Sequence, residues 1–233
     1  MDNILIMRKF VLVITSLVFF VSCKDTEADK KAVLPESNAN INNISIIADE
    51  MIWNGEIGDS IRKKFAAPVD GLPQEEPLFN LNQYPTRVFD GFVTKSRNVI
   101  IVKKSDKAGY TYKKDEFAKP QNVFYISANS NTEILALLEE KTPEIIATVK
   151  ASEIIENQRR LKKALISDAK VQEKFGISLN IGHGYKYDMV QDKFLWIRKE
   201  FSSGYNSILV YEVPFEVLDK NENTIGNIIT MRD

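Results

Sequence analysis

One cysteine and one histidine are all that 233 residues hold of the two side chains that most often ligate zinc. That scarcity excludes the common zinc sets. The single cysteine, Cys23, also rules out an intramolecular disulfide, even in an oxidising compartment. Charge of one sign is missing too: 31 Lys and Arg against 32 Asp and Glu leave a formal net charge of −1. A near balance argues against nucleic acid as a partner and against a polybasic membrane surface. The chain has no Walker sequence and no Gly-x-Ser-x-Gly elbow, and Gly182-x-Gly184 lacks the third glycine of a dinucleotide loop. No apolar run reaches the roughly 20 residues of a membrane-spanning helix.

The longest apolar run, Phe10–Val21, follows Arg8-Lys9 and precedes Ser22-Cys23. Two cations, a short apolar segment and a small residue before a cleavage point make a secretory signal. Met7-Arg8-Lys9 would form a more usual n-region if Met7 is the initiator. The ending Phe20-Val21-Ser22-Cys23 resembles the lipobox of bacterial lipoproteins, with Phe20 where leucine is customary. Residues 1–22 therefore read as a lipoprotein signal peptide, and Cys23 as the site of lipid attachment. The alternatives are a secreted protein with an incidental cysteine, or an uncleaved signal anchor. Acyl chains contribute about 0.8 kcal/mol per buried methylene, so two or three of them hold a protein stably to a membrane.

Lys24-Asp25-Thr26-Glu27 and the following residues to Asn40 are charged or polar and free of aromatics, so residues 23–40 read as a flexible tether. The expected location is the cell envelope, as an outer-membrane lipoprotein facing the periplasm rather than the cell surface. Lys24-Asp25-Thr26-Glu27 partly resembles a surface-export signal, with Thr26 interrupting its acids.

Residues 41–233 are expected to form a single α+β domain, mainly an antiparallel sheet with helices on one face. Ile44–Ala48 is β-branched and reads as a strand; Gly55–Phe65 places Ile57, Ile61 and Phe65 at helical spacing. Three prolines and a glycine make 66–77 a loop. Strands are expected at Arg87–Val93, Asn98–Lys103 and Val123–Ser127, the last two central. Ser130, Asn131 and Thr132 offer N-cap oxygens for a helix, and Thr142-Pro143-Glu144 suggests that a second begins there and runs to about Lys174, ending at Gly176. Lys150, Glu153, Glu156, Arg159 and Arg160 read as its solvated face. Strands at Gly176–Ile181, Tyr185–Val190, Lys193–Glu200 and Ser207–Pro214 follow, with a turn at Gly204-Tyr205-Asn206. Two similar halves, 41–128 and 129–233, are one reading of this order, since Asn98–Val102 and Asn206–Val210 each follow a phenylalanine-terminated helix by about thirty residues.

Trp53-Asn54-Gly55, Ile61-Arg62, Gly71–Phe79, Arg97-Asn98 and Phe194-Leu195-Trp196-Ile197-Arg198 resemble a lipoprotein family of the Bacteroidota, domain of unknown function 4837. The resemblance implies an envelope location, no assigned activity, and a chain that continues beyond Asp233. From the residues themselves, the proline-rich loop with Trp53, Glu75, Glu76, Phe79 and Tyr84 is the candidate binding surface, since long irregular loops often carry function. The competing reading packs those rings under the loop. His183 between Gly182 and Gly184 reads as a turn residue. No catalytic residue, metal site or cofactor is expected. The function expected is a lipid-anchored, non-enzymatic binding or structural module, meeting the membrane through its lipid and an envelope protein or cell-wall component through its domain. The alternative is an envelope hydrolase with carboxylates such as Glu75 and Glu76 in a cleft; it requires that they converge with Asp49 and Arg97.

Overall fold

A computed structural model describes residues 33–70, 74–214, 226–228 and 230. The expected signal peptide, Cys23 and most of the expected tether lie outside the described residues.

The chain is an α+β protein, and its larger sheet has five strands. They are β1 (Asn43–Ile47), β2 (Asn80–Tyr84), β3 (Asn98–Lys104), β4 (Gly109–Lys114) and β5 (Asn122–Ala128), in the order β2-β1-β3-β5-β4. β1 lies parallel to β2 and β3, β3 lies parallel to β5, and β4 returns antiparallel to β5. The expected antiparallel character holds across the protein as a whole, because the smaller sheets pair entirely antiparallel.

Strand alternation divides this sheet into two faces. Ile44, Ile46, Ile100, Val102, Phe124 and Ile126 point to one, where Ile57, Ile61 and Phe65 of α2 (Glu56–Phe65) and Ile134, Leu138, Ile145 and Val149 of α3 (Asn131–Leu161) complete the main core. Ile47, Val99, Ile101 and Val123 point to the other, where Tyr84, Phe89, Val93, Phe117 and Tyr125 pack on them. The helices thus occupy one face, as expected, and short irregular segments cover the second. Arg87–Val93 is no strand: 3₁₀ turns occupy Thr86–Val88 and Val93–Lys95. Pro85 and Asp90-Gly91 break the segment, and its apolar residues serve by packing Phe89 and Val93 against the sheet.

α3 continues straight through Pro143. Proline there costs one hydrogen bond, and Thr142 donates its hydroxyl to the Leu138 carbonyl at 2.6 Å one turn back. Ser130 caps the helix, with Glu133 closing a capping box. It ends at Leu161, well before Lys174; a two-residue strand β6 (Leu165–Ile166) intervenes before α4 (Ala169–Phe175), which stops at the left-handed Gly176. Where a strand was expected over Gly176–Ile181, only β7 (Ile181–Gly182) forms, against β6.

The last sheet is a meander of β8 (Lys186–Val190), β9 (Phe194–Phe201) and β10 (Gly204–Tyr211). Its turn falls at Ser202-Ser203, ahead of the expected Gly204-Tyr205-Asn206. Val171, Ile181, Leu195 and Ile197 form its separate core. The two sheets are unlike. Asn98–Val102 is a central strand with parallel partners on both sides, whereas Ser207–Val210 pairs antiparallel with β9 alone among the described residues. The proposed repeat does not extend to the architecture.

Candidate functional site

Parallel strands send their carboxyl ends to one edge of a sheet. In open sheets a crevice forms there where successive connections leave to opposite faces. The connection from β1 to β2 crosses the helical face through α1 (Glu50–Trp53) and α2, and the connection from β2 to β3 covers the opposite face. Between the carboxyl ends of β1 and β3 lies a cleft of about 490 Å³. Asp49, Met51 and Ile52 follow β1, Thr86 follows β2, Lys103 and Lys104 end β3, and Gly55, Glu56 and Asn131 sit at the starts of α2 and α3.

The polar groups of this cleft are partly committed. Asp49 Oδ1 accepts from the Thr86 amide at 3.1 Å, and Glu56 Oε1 accepts from Asn131 Nδ2 at 2.7 Å. Lys104 Nζ reaches the Asn129 carbonyl at 3.3 Å. Met51 is 92% exposed at the rim, an unusual setting for a large apolar side chain. Two carboxylates, two ammonium groups and an adaptable thioether suit a partner that carries both charges and some apolar surface.

The candidate surface of the proline-rich loop does not assemble. Phe79 is 1% exposed and belongs to the main core, where its amide also binds the Phe65 carbonyl. Tyr84 packs against the opposite face of the sheet. Trp53 is half-buried against the main core, with the Arg62 guanidinium 4.5 Å above its ring and Arg62 Nη1 bonded to its carbonyl. Glu75 and Glu76 stand exposed on a loop closed by bridging between Pro68 and Pro77. The three rings are buried or half-buried against the core and the sheet and form no exposed surface.

Arg97 belongs to another place again. It enters β3 at the amino end of the sheet, while Asp49 leaves β1 at the carboxyl end, about 20 Å away at 3.3 Å per residue. The four groups required for the carboxylate hydrolase do not converge. Arg97 is instead 1% exposed and clamped bidentately by Glu153, with Nε–Oε1 at 2.6 Å and Nη2–Oε2 at 3.0 Å. Asn98 Nδ2 donates to the same carboxylate at 2.6 Å, and so does the Asn42 amide at 2.7 Å. Glu156, also buried, accepts from Arg159 and Arg160, and these bonds hold its carboxyl down to about 2. Every buried side-chain N and O among the described residues has a partner.

This network corrects the reading of α3. Its buried stripe runs Ile134, Leu138, Thr142, Ile145, Val149, and then Glu153 and Glu156, leaving Ile154 and Ile155 exposed. The helical phase was present in the sequence, but charge at its last two positions reads as a solvated face. The network also binds the incoming chain: Arg97 and Arg160 hold the Ala39 carbonyl, Arg97 the Asn40 carbonyl, and Arg159 the Glu36 carboxylate. Residues 35–40, expected within the tether, are bonded to the domain at Lys95, Arg97 and Lys119.

Outside the main domain, Phe194, Trp196 and Arg198 share the outer face of β9, as expected. Arg198 is paired with Asp188 and lies near the Trp196 and Tyr205 rings. His183 is an exposed turn residue whose amide binds the Ala164 carbonyl. Among the described residues no group of three or more His, Cys, Asp or Glu side chains is placed to hold a metal ion, and no helix is long and apolar enough to cross a membrane.

A mixed sheet helical on one face, with a cleft at its strand ends and a buried ionic clamp at its amino end, defines an α+β domain. The chain belongs to the family described as a domain of unknown function (DUF8532), which matches residues 37–162, more than half its length. A second domain of unknown function (DUF4837) matches residues 164–233. The latter resemblance was expected over most of the chain; Phe194–Arg198 lies within the match, while Trp53–Gly55, Gly71–Phe79 and Arg97-Asn98 lie in the first family's region. No curated protein and no solved structure matches the chain.

Proposed function

We propose that this chain is exported, is lipid-anchored through Cys23 on the periplasmic face of the outer membrane, and recognises an envelope partner through the cleft at the carboxyl ends of β1 and β3. The sole cysteine supports the anchor, standing after a short apolar segment and a small residue and before a charged run. The observation that carries the binding reading is the cleft itself, with Lys103, Lys104, Asp49 and Glu56 around an exposed Met51. Such a strand-end crevice is the default ligand position in sheets of this connectivity.

Photo-crosslinking from position 51 in intact cells tests it. A photoreactive residue at Met51 should yield a discrete adduct that Lys103→Glu with Lys104→Glu diminishes at least tenfold. Adducts that are absent, or that persist undiminished in the double variant, would contradict recognition at this cleft.

A further inference from the structure

A second concavity, about 390 Å³, lies at the other end of the sheet on its helix-free face, lined by Asn38, Ala39, Asn40, Asn43, Ser45, Asn82, Tyr84, Phe92 and Ser96. Its composition follows from register. In β1 and β2, Asn43 stands opposite Asn80, Ser45 opposite Asn82 and Ile47 opposite Tyr84, so these alternate residues share one face. Toward β3 and β5 that face carries Val99, Ile101 and Val123 and is packed under apolar side chains. Toward β1 and β2 it turns to amides and hydroxyls. We infer that this groove binds a neutral oligosaccharide.

The lining excludes the common charged ligands. No Lys, Arg, Asp or Glu contributes to it, so a phosphate or carboxylate would find no side-chain counter-charge. The side-chain amides of Asn40, Asn43 and Asn82 line the groove, with Asn40 and Asn82 at exposed positions. An amide offers both donors and acceptors, which matches sugar hydroxyls that also do both. The floor is the buried Ser45–Ser96 hydroxyl pair, 2.8 Å apart. Phe92, 73% exposed at the rim, offers a ring face to the C–H side of a pyranose, and Asn38 Nδ2 holds that residue's carbonyl at 3.2 Å.

The rim is also preorganised. Ala39 and Asn42 adopt left-handed φ values of 96° and 59°, a conformation unusual for alanine. The Ala39 carbonyl is taken by Arg97 and Arg160 and the Asn42 amide by Glu153, so the ionic clamp fixes the arch that presents Asn38 and Asn40. A fixed arch reduces the ordering cost of binding a flexible glycan.

Calorimetric titration of the full chain in detergent tests the site, with tetramers of N-acetylglucosamine, cellotetraose and maltotetraose as probes. At least one should bind saturably, and an oligogalacturonate tetramer should not. Phe92→Ala and Asn82→Ala, both at exposed positions, should each weaken that binding at least tenfold while far-UV circular dichroism stays unchanged. Lys103→Glu, in the other cleft, should leave it intact, so loss of one site is distinguishable from loss of the other. The inference is overturned if no neutral tetramer binds at millimolar concentration, if affinity survives both groove variants, or if the acidic tetramer or an uncharged pentapeptide binds as well.

Discussion

Arg97 and Glu153 are each almost wholly removed from water, at 1% and 2% exposure of their side chains. Removing one partner of such a pair strands the other's charge, which costs about 3–5 kcal/mol. Arg97→Met should therefore lower the unfolding free energy, measured by urea titration, by an amount in that range. Adding Glu153→Met should restore much of it, because both charges are then gone. If Arg97→Met costs less than about 1 kcal/mol, the clamp does not hold the amino end of the domain. Glu156 makes a separate contribution with a defined pH dependence. Its folded carboxyl is held down to about 2 by hydrogen bonds from Arg159 and then Arg160, against about 4.3 in an unfolded chain. A depressed carboxylate stabilises fully above the unfolded value, and the gain is lost as pH falls toward the folded one. Discounted for the partial exposure of both arginines, the gain is about 2 kcal/mol. Glu156→Gln should remove it at pH 7 and flatten the decline in stability between about pH 4.3 and 2, as measured by urea unfolding at stepped pH.

Among the elements, two substitutions should move stability in opposite directions. A Cβ added at Gly58 would lie 1.8 Å from the Trp53 carbonyl oxygen, because α2 starts immediately after α1 and turns back on it. Gly58→Ala should cost more than about 2 kcal/mol by forcing the two helices apart. Pro143 is exposed within an uninterrupted helix. Pro143→Ala should stabilise by about 1–3 kcal/mol, since it restores the donor and removes the ring; thermal unfolding checks both variants. These same elements show what was legible beforehand. β3 and β5 could be read because strands buried on both faces are nearly continuous apolar runs, and α2 because Ile57, Ile61 and Phe65 sit one turn apart. The continuity of α3 was hidden by Thr142-Pro143, which imitates a helix start. β4, mostly exposed and built of Gly109-Tyr-Thr-Tyr-Lys-Lys, has almost no apolar period to detect. Of the sites, Asp49 was legible in the sequence only as a partner for Glu75 and Glu76. Its neighbourhood with Lys103 and Lys104 follows only from parallel pairing, and so does the shared face of Asn43, Ser45 and Asn82.

At the scale of the whole molecule, the boundary between the two family matches falls at residue 163, next to the end of α3. It separates two cores with no buried residue in common. Among the described residues the second has four buried apolar residues against seventeen in the main cluster, and smaller cores leave domains marginal. Amide hydrogen exchange should accordingly be slowest in β3 and β5 and faster by at least a factor of a hundred in β8–β10; uniform protection would mean one cooperative unit. Pro35 and Ser37 bond to Lys119 of the domain, so a lipid at Cys23 would stand about a dozen residues from that attachment, a reach of up to about 40 Å if extended. Everything proposed about location depends on that lipid. The most direct measurement is intact mass of the protein extracted from membranes of the producing cell. The account predicts a mature chain starting at Cys23 and heavier by a diacylglyceryl group, with or without a third acyl chain. An unmodified Cys23, whether within a full-length chain or in one cleaved elsewhere, would contradict it.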